Sequence, residues 1–109
     1  MAGDSLGAVL AALSDDTRRR VVHRLSEQGP ATASQLAAEL PITRQAVSKH
    51  LVALREARLV ESQRHGREIR YQLTPAPLSE VMSWMALVGA KWDERLQALQ
   101  EYLESNAQG

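Results

Sequence analysis

The sequence predicts a mainly α-helical domain that carries one small β-hairpin, with its elements in the order α-α-α-α-β-β-α. Apolar residues recur at intervals of three and four along most of the 109-residue chain, whereas an alternating pattern is confined to residues 60–73. Aromatic residues make up only 4% of the chain and Phe is absent. The core must therefore consist of aliphatic side chains, a composition that favours helices.

Two helices are predicted before the first strong break in the pattern. The first follows from four apolar residues at positions i, i+3, i+4 and i+7, namely Leu6, Val9, Leu10 and Leu13. Ser14 is the expected N-cap of the second helix, because a serine hydroxyl can accept a hydrogen bond from a free backbone N–H of the first turn. The Gly29-Pro30 dipeptide ends this helix.

The next two helices are separated by a short turn. Thr32 and Gln35 form a capping box for the third helix. Thr43 is the expected N-cap of the fourth helix, which is assigned to about residues 43–57. The link over residues 40–43 has the length of the turn in a DNA-binding helix-turn-helix.

A hairpin and a long helix complete the predicted fold. Residues of about 60–73 alternate in polarity on either side of a turn at Gly66. Helical spacing then returns over residues 78–104. The whole chain is interpreted as one domain, with a winged helix-turn-helix core over residues 6–75, in which the hairpin is the wing, and a C-terminal dimerisation helix.

Charge is sorted along the chain although the formal net charge is zero. Residues 1–40 have a net charge of −1 and residues 71–109 a net charge of −3. Residues 41–70 have seven basic side chains against three acidic ones, a net charge of +4. Because a phosphate-facing surface needs local positive charge, the fourth helix and the hairpin form the candidate DNA-binding surface.

The first turns of the fourth helix would enter the major groove. An Arg fork matches guanine and a Gln amide matches adenine, so the residues expected to contact bases are Thr43, Arg44, Gln45 and Ser48. The residues expected to contact the DNA backbone are Lys49, His50, Arg55, Arg64, His65, Arg67 and Arg70. Three alternatives stay open: His50 could pack between helices, His65 could face solvent, and the hairpin charges could only protect a sheet edge.

The last helix is apolar around most of its circumference, which requires cover on two sides. One side can pack on its own domain and the other on a second subunit. The residues expected at the dimer interface are Leu6, Val9, Leu10, Leu13, Met82, Met85, Trp92, Leu96 and Leu99. Two other interpretations stay open, since this helix could bind a different protein, or the region around Trp84 and Trp92 could hold a small ligand.

Composition excludes several classes of function. The chain has no Cys, which rules out disulfides, thiolate metal sites and cysteine redox sensing. Its three His residues, 23, 50 and 65, lie in different elements, so neither a metal nor another cofactor is expected. No apolar run reaches the roughly 18 residues of a membrane span and no signal peptide is recognisable, so we expect a cytoplasmic protein without membrane contact. No nucleophile–base motif is present, and an enzyme is not expected.

Several segments together resemble the ArsR-type winged helix-turn-helix regulators: Leu13-Ser14-Asp15-Asp16-Thr17-Arg18-Arg19, Gln35-Leu36-Ala37, Gln45-Ala46-Val47-Ser48-Lys49-His50-Leu51, Leu59-Val60 and Gly66-Arg67. Trp92-Asp93-Glu94-Arg95-Leu96 is similar to a last-helix motif of a metal-independent branch. The resemblance covers residues 6 to about 104. It implies a homodimer that binds a short palindromic operator near a promoter, usually as a repressor. The founding members sense metals through a Cys pair or through Asp and His ligands on the last helix, whereas this chain has no Cys and no His on that helix.

Overall fold

The computed structural model describes residues 2–108, which form five α-helices and a three-stranded antiparallel sheet. The elements are α1 (Ala2–Ala12), α2 (Asp16–Gln28), β1 (Ala31–Thr32), α3 (Ala33–Glu39), α4 (Arg44–Glu56), β2 (Val60–His65), β3 (Glu68–Leu73) and α5 (Pro75–Gln108). The predicted class, mainly α with a β-hairpin after the fourth helix, is confirmed. The sheet has one strand more than the sequence predicts.

Threonine side chains fix the starts of α3 and α4. Thr32 Oγ1 accepts a hydrogen bond from the Gln35 backbone N–H at 3.1 Å, and Gln35 Oε1 accepts one from the Thr32 N–H at 2.8 Å. This is the predicted capping box. Thr43 Oγ1 accepts a hydrogen bond from the Ala46 N–H at 3.1 Å, which confirms the predicted cap of α4.

The predicted cap of α2 is wrong by one residue. Asp15 is the N-cap, and its Oδ2 accepts a hydrogen bond from the Arg18 backbone N–H at 3.0 Å. That hydrogen bond lowers the pKa of the Asp15 carboxyl, because it stabilises the charged form. The Ser14 hydroxyl donates instead to the Ala11 carbonyl at 2.6 Å and so belongs to the end of α1.

β3 is the central strand of the sheet, whose order is β1-β3-β2. β2 and β3 form the predicted hairpin, in register from Val60 opposite Leu73 to His65 opposite Glu68. β1 pairs with the other edge of β3, with Ala31 opposite Tyr71. A strand of two residues has no periodicity of its own, which is why the sequence does not predict it.

The core is aliphatic, as the composition requires. Its largest fully buried side chains are Leu36, Leu51, Leu54, Leu59, Val9, Val21 and Val47. Burying a side chain of this size stabilises the fold by about 1.5–3 kcal/mol. Three of the seven come from α4, and they lie on one face of that helix. The opposite, polar face of α4 is therefore held in a fixed orientation relative to the body.

A hydrogen-bonded turn connects α4 to the hairpin. The Leu59 N–H donates to the Leu54 carbonyl and the Arg58 N–H to the Arg55 carbonyl, each at 2.9 Å, which is the Schellman pattern. Leu54 and Leu59 are both fully buried beside this turn. Arg58 has φ = 62°, in the left-handed region that favours glycine, so the backbone is strained at this position.

α5 begins earlier and ends later than predicted. Pro75 occupies the first turn, where its missing N–H is not needed, so the helix begins on a proline three residues before the predicted start. The helix has 34 residues and is about 51 Å long. Its N-terminal part packs on α1, with Val81 buried in the core. All the side chains of residues 89–107 are exposed.

Candidate nucleic-acid interface

One face of α4 is buried and the other is free. Val47, Leu51 and Leu54 are at most 1% exposed and anchor the helix in the core. Because successive residues are about 100° apart around a helix, the opposite side presents Gln45, Ser48, Lys49 and Val52, all of which are exposed. α4 thus offers a polar surface about two turns long with its backbone already fixed.

The predicted base-contact residues lie at the start of this surface. Arg44, Gln45 and Ser48 are exposed in the first two turns of α4. Thr43 is also exposed, but its hydroxyl accepts the capping hydrogen bond from Ala46. The side chain of Thr43 therefore serves the helix start, which places the flanking Arg44 and Gln45 at the tip of the surface.

The hairpin presents cations around its turn. Gly66 adopts φ = 64° there, which lets the chain reverse direction within two residues. Arg64 Nε donates a hydrogen bond to the Gly66 carbonyl at 3.2 Å, which holds this guanidinium at the tip. Arg70 lies 3.5 Å from Glu68, so its charge is partly compensated. Arg67 and His65 are exposed at the same tip.

A polar cleft of about 290 Å³ lies between the hairpin and the start of α4. Its polar lining residues are Thr32, Ser34, Arg44, Ser48, Arg67, Glu68 and Tyr71. Arg44 and Arg67 come from the two predicted DNA-binding elements and border the same concave surface. Ser34 and Tyr71 were not singled out from the sequence, because they come from α3 and β3 and only the fold brings them here. Cations and hydroxyl donors around a groove are the groups that contact nucleic-acid phosphates.

Ion pairing separates the cations of α2 from those of the candidate surface. Arg20 and Arg19 pair with Asp16 at 3.0 and 3.6 Å, and Arg24 pairs with Glu39 across α2 and α3. Within residues 5–107, whose side chains the structure describes, five cations of α4 and the hairpin have no acidic partner, namely Arg44, Lys49, Arg55, Arg64 and Arg67. Five unpaired cations therefore share one surface, where they can attract a polyanion. Arg58, Lys91 and Arg95 also have no acidic partner among the described side chains, but they lie outside α4 and the hairpin.

His50 faces α2 and not the free surface. Its side chain is 22% exposed, and Nδ1 accepts a hydrogen bond from Arg18 Nε at 3.4 Å and lies 3.7 Å from Asp15 Oδ2. Arg18 also donates to the Ala12 carbonyl at 3.2 Å. Of the two roles that the sequence left open, the structure supports helix packing. The assignment of His50 to DNA-backbone contact stays a prediction, since part of the side chain is exposed.

The residues predicted for dimerisation fall into two groups. Val9 is 0% exposed, and Leu6 and Leu13 pack against the core, because the inner face of α1 closes the protomer. Val9 has no surface left for a second subunit, so its assignment is corrected. The other predicted residues are exposed, from 38% for Leu10 to 68% for Met82. They are Leu10, Met82, Met85, Trp92, Leu96 and Leu99.

Acidic and imidazole side chains are dispersed. His23 Nε2 lies 3.1 Å from Glu27 Oε1 on the exposed side of α2, which is a surface pair one turn apart. Among the side chains described by the structure, no three His, Asp or Glu residues lie close enough together to hold a metal ion. Within the same part of the chain, no helix is both long and apolar enough to cross a membrane.

The chain has a helix-turn-helix that is followed by a basic hairpin, and the two share a surface with cations that have no acidic partner among the described side chains. This arrangement defines the chain as a winged-helix DNA-binding protein. Residues 13–63 match a family model described as a helix-turn-helix domain. The solved structure of an ArsR-like transcriptional regulator from Rhodococcus sp. RHA1 is 44% identical and superimposes with a TM-score of 0.76, covering 90% of this chain and 92% of that one. The chain belongs to the ArsR family of transcriptional regulators.

Two curated relatives are regulators of the same kind. The HTH-type transcriptional regulator Rv2034 of Mycobacterium tuberculosis is 47% identical over 68 residues, which cover 62% of this chain and 63% of that protein. The match therefore spans less than two thirds of the length of Rv2034. The transcriptional repressor SdpR of Bacillus subtilis is 34% identical over 77 residues, which cover 71% of this chain and 84% of SdpR. The relatives agree with the expectation that this chain is a regulator and not an enzyme.

Proposed function

We propose that this chain acts in the cytoplasm as a homodimeric repressor that binds a palindromic operator, without a metal or cofactor. The observation that carries the proposal is the surface formed by α4 and the hairpin. It gathers five cations that have no acidic partner among the described side chains, in a chain of zero net charge. In a symmetric dimer the two α4 helices enter successive major grooves about 34–36 Å apart. Repression is supported by the likeness to SdpR.

Bases and backbone are contacted by different residues of that surface. Arg44 and Gln45 open α4 and are exposed, so their forked groups can meet purine edges in the groove. Ser48, one turn further, is short enough to allow close approach. Lys49, Arg55, Arg64 and Arg67 hold phosphates, and these contacts position the protein without reading sequence.

The dimer forms through α5, supported by exposed parts of α1. Eight positions along α5 alternate in steps of four and three, which is the heptad spacing of a coiled-coil seam: Leu78, Met82, Met85, Gly89, Trp92, Leu96, Leu99 and Leu103. The last seven of these positions are exposed in the protomer. A long helix with an exposed apolar stripe is unstable in water, and a second copy of the same stripe covers it.

The size of the side chains favours an antiparallel pair of α5 helices. A two-fold axis between Ala90 and Lys91 places Gly89 opposite Trp92 of the partner subunit, so that the largest residue of the stripe meets the smallest. The space beside Gly89 is open, with nothing within 4 Å of where a Cβ would lie. A parallel pair in register would place Gly89 against Gly89 and leave a void, which costs packing energy.

A binding experiment tests the function. Fluorescence anisotropy with DNA from upstream of the gene is expected to show a complex that is weakened by salt and by Arg44→Ala. A protein-interaction module, the alternative function, predicts no such complex and no effect of Arg44→Ala. If no specific complex forms even at low salt, where phosphate contacts are strongest, the proposal is contradicted.

A second experiment tests the dimer separately from the DNA surface. Leu96→Glu combined with Leu99→Glu puts two charges into the stripe and is expected to give a monomer by light scattering, with operator affinity reduced more than tenfold. Gln97→Glu, which adds a charge to α5 outside the stripe, is the matched control. Truncation before Leu78 should likewise give insoluble protein or a weakly binding monomer. A truncated chain that stays dimeric and binds normally would show that α5 is not the interface.

A further inference from the structure

Val52 is the exception to the separation of apolar and polar side chains on α4. It is 53% exposed, whereas Val47, Leu51 and Leu54 on the same helix are at most 1% exposed. A β-branched residue also lowers helix propensity slightly, so Val52 does not gain from its place in α4 alone. Its exposed methyl groups are available to a partner that covers this face of α4.

Val52 shares a face with the residues at the start of α4. Gln45, Ser48 and Val52 follow one another at spacings of three and four, so they form a single row along the helix surface. Gln45 and Val52 are about 10 Å apart along the axis, which corresponds to about three base-pair steps of DNA. A helix that lies along the major groove brings all three to base edges.

The side chain of Val52 can contact bases but not the DNA backbone. Val52, Arg55 and Glu56 border a shallow concavity of about 240 Å³. Arg55 can hold a phosphate at one side of it, whereas Glu56 repels phosphates and the valine has no group that binds one. The C5 methyl of thymine is the apolar group that base pairs present in the major groove.

We propose that Val52 contacts the C5 methyl of a thymine and thereby specifies a T·A pair at one position of each half-site. The inference rests on the proposed function, because it requires that α4 lie in the major groove. It adds apolar recognition to a surface whose other candidates, Arg44 and Gln45, recognise purines by hydrogen bonds. The contact does not require any rearrangement, because Val52 is already exposed in the free protein.

The test first removes the C5 methyl group of thymine from the DNA and then removes the methyl groups of Val52 from the protein. The operator is first obtained by selecting bound duplexes from a random pool, and each thymidine is then replaced by deoxyuridine, which lacks only the C5 methyl. At one position per half-site the replacement is expected to weaken binding of the unchanged protein about fourfold, the effect of one buried methyl-sized group. With Val52→Ala, which removes both γ-methyl groups, the same replacement is expected to have a clearly smaller effect.

Ile69→Ala is the matched control, since Ile69 is 50% exposed but lies on the hairpin. It should leave the deoxyuridine effect unchanged. The proposal is overturned if Val52→Ala retains the full effect, if Ile69→Ala abolishes it, or if the selected half-site has no thymine whose methyl matters. Specific binding that persists in any of these cases leaves the proposed function intact, whereas failure to select any operator contradicts the function itself.

Discussion

Replacing Arg67 by Ala removes an exposed guanidinium from the tip of the hairpin, where it has no acidic partner among the described side chains. A dimer loses two phosphate contacts through this change. Each contact contributes about 0.9 to the slope of log affinity against log salt, so the slope should become shallower by about 1.8. If Lys49, Arg55, Arg64 and Arg67 all hold phosphates in both subunits, the slope of the unchanged protein is about −7.

The assay is anisotropy over a salt series, with operator and scrambled duplexes of equal length. The affinity ratio of the unchanged protein to Arg67→Ala should fall roughly tenfold between 50 and 200 mM salt, and equally for both duplexes. Arg20→Ala, which removes the same charge from an arginine that pairs with Asp16 at 3.0 Å on α2, should leave the slope unchanged. An unchanged slope for Arg67→Ala, or an equal decrease for Arg20→Ala, would refute the reasoning.

Four further predictions use other parts of the structure. Arg44→Ala should cost roughly 1–3 kcal/mol on the operator, spare scrambled DNA, and relax one operator position in a selection experiment. Arg58→Gly should raise the free energy of unfolding in urea by about 1 kcal/mol, because it relieves the left-handed backbone strain, whereas Arg58→Ala should not. The pKa of the Asp15 carboxyl is lower in the folded than in the unfolded protein. The ionised carboxyl therefore stabilises the fold above the unfolded pKa near 4, and this stabilisation is lost as the pH falls from there through the folded-state pKa. Asp15→Asn should reduce the acid sensitivity of unfolding in that range. Chelator or added zinc should leave operator affinity unchanged, and a reversible tenfold loss with zinc would reveal a metal site.

Local signals predicted most of the helices, and the errors have both local and non-local causes. The Thr32–Gln35 capping box and the Thr43 cap act within one turn, so their residue types at the right spacing were sufficient. β1 depends on pairing with β3, a partner distant in sequence, and could not be recognised from two residues. α5 begins at Pro75, before its predicted start at residue 78, because a proline that would interrupt a helix interior is compatible with a first turn.

The candidate site was predictable in its elements but less so in its individual residues. Helical periodicity placed Arg44, Gln45 and Ser48 on the exposed side of α4. The same periodicity places His50 between the buried and exposed faces, and only its contacts with Arg18 and Asp15 show that it packs inward. Ser34 joins the cleft through the packing of α3 against α4 and the sheet, which no sequence spacing encodes.

A chain of zero net charge can bind a polyanion because the sequence keeps its charges apart and the fold preserves that separation. The carboxylates Asp16 and Glu39 compensate arginines of α2 and do not approach the free face of α4. The segment 71–109, with its net charge of −3, is mostly α5, which packs mainly on α1. DNA carries one negative charge per roughly 1.7 Å, so it attracts the surface of α4 and the hairpin and repels α5. In the proposed dimer these two opposing forces would turn both α4 helices toward the duplex before any base is read, so raising the salt concentration should slow association as well as weaken the complex.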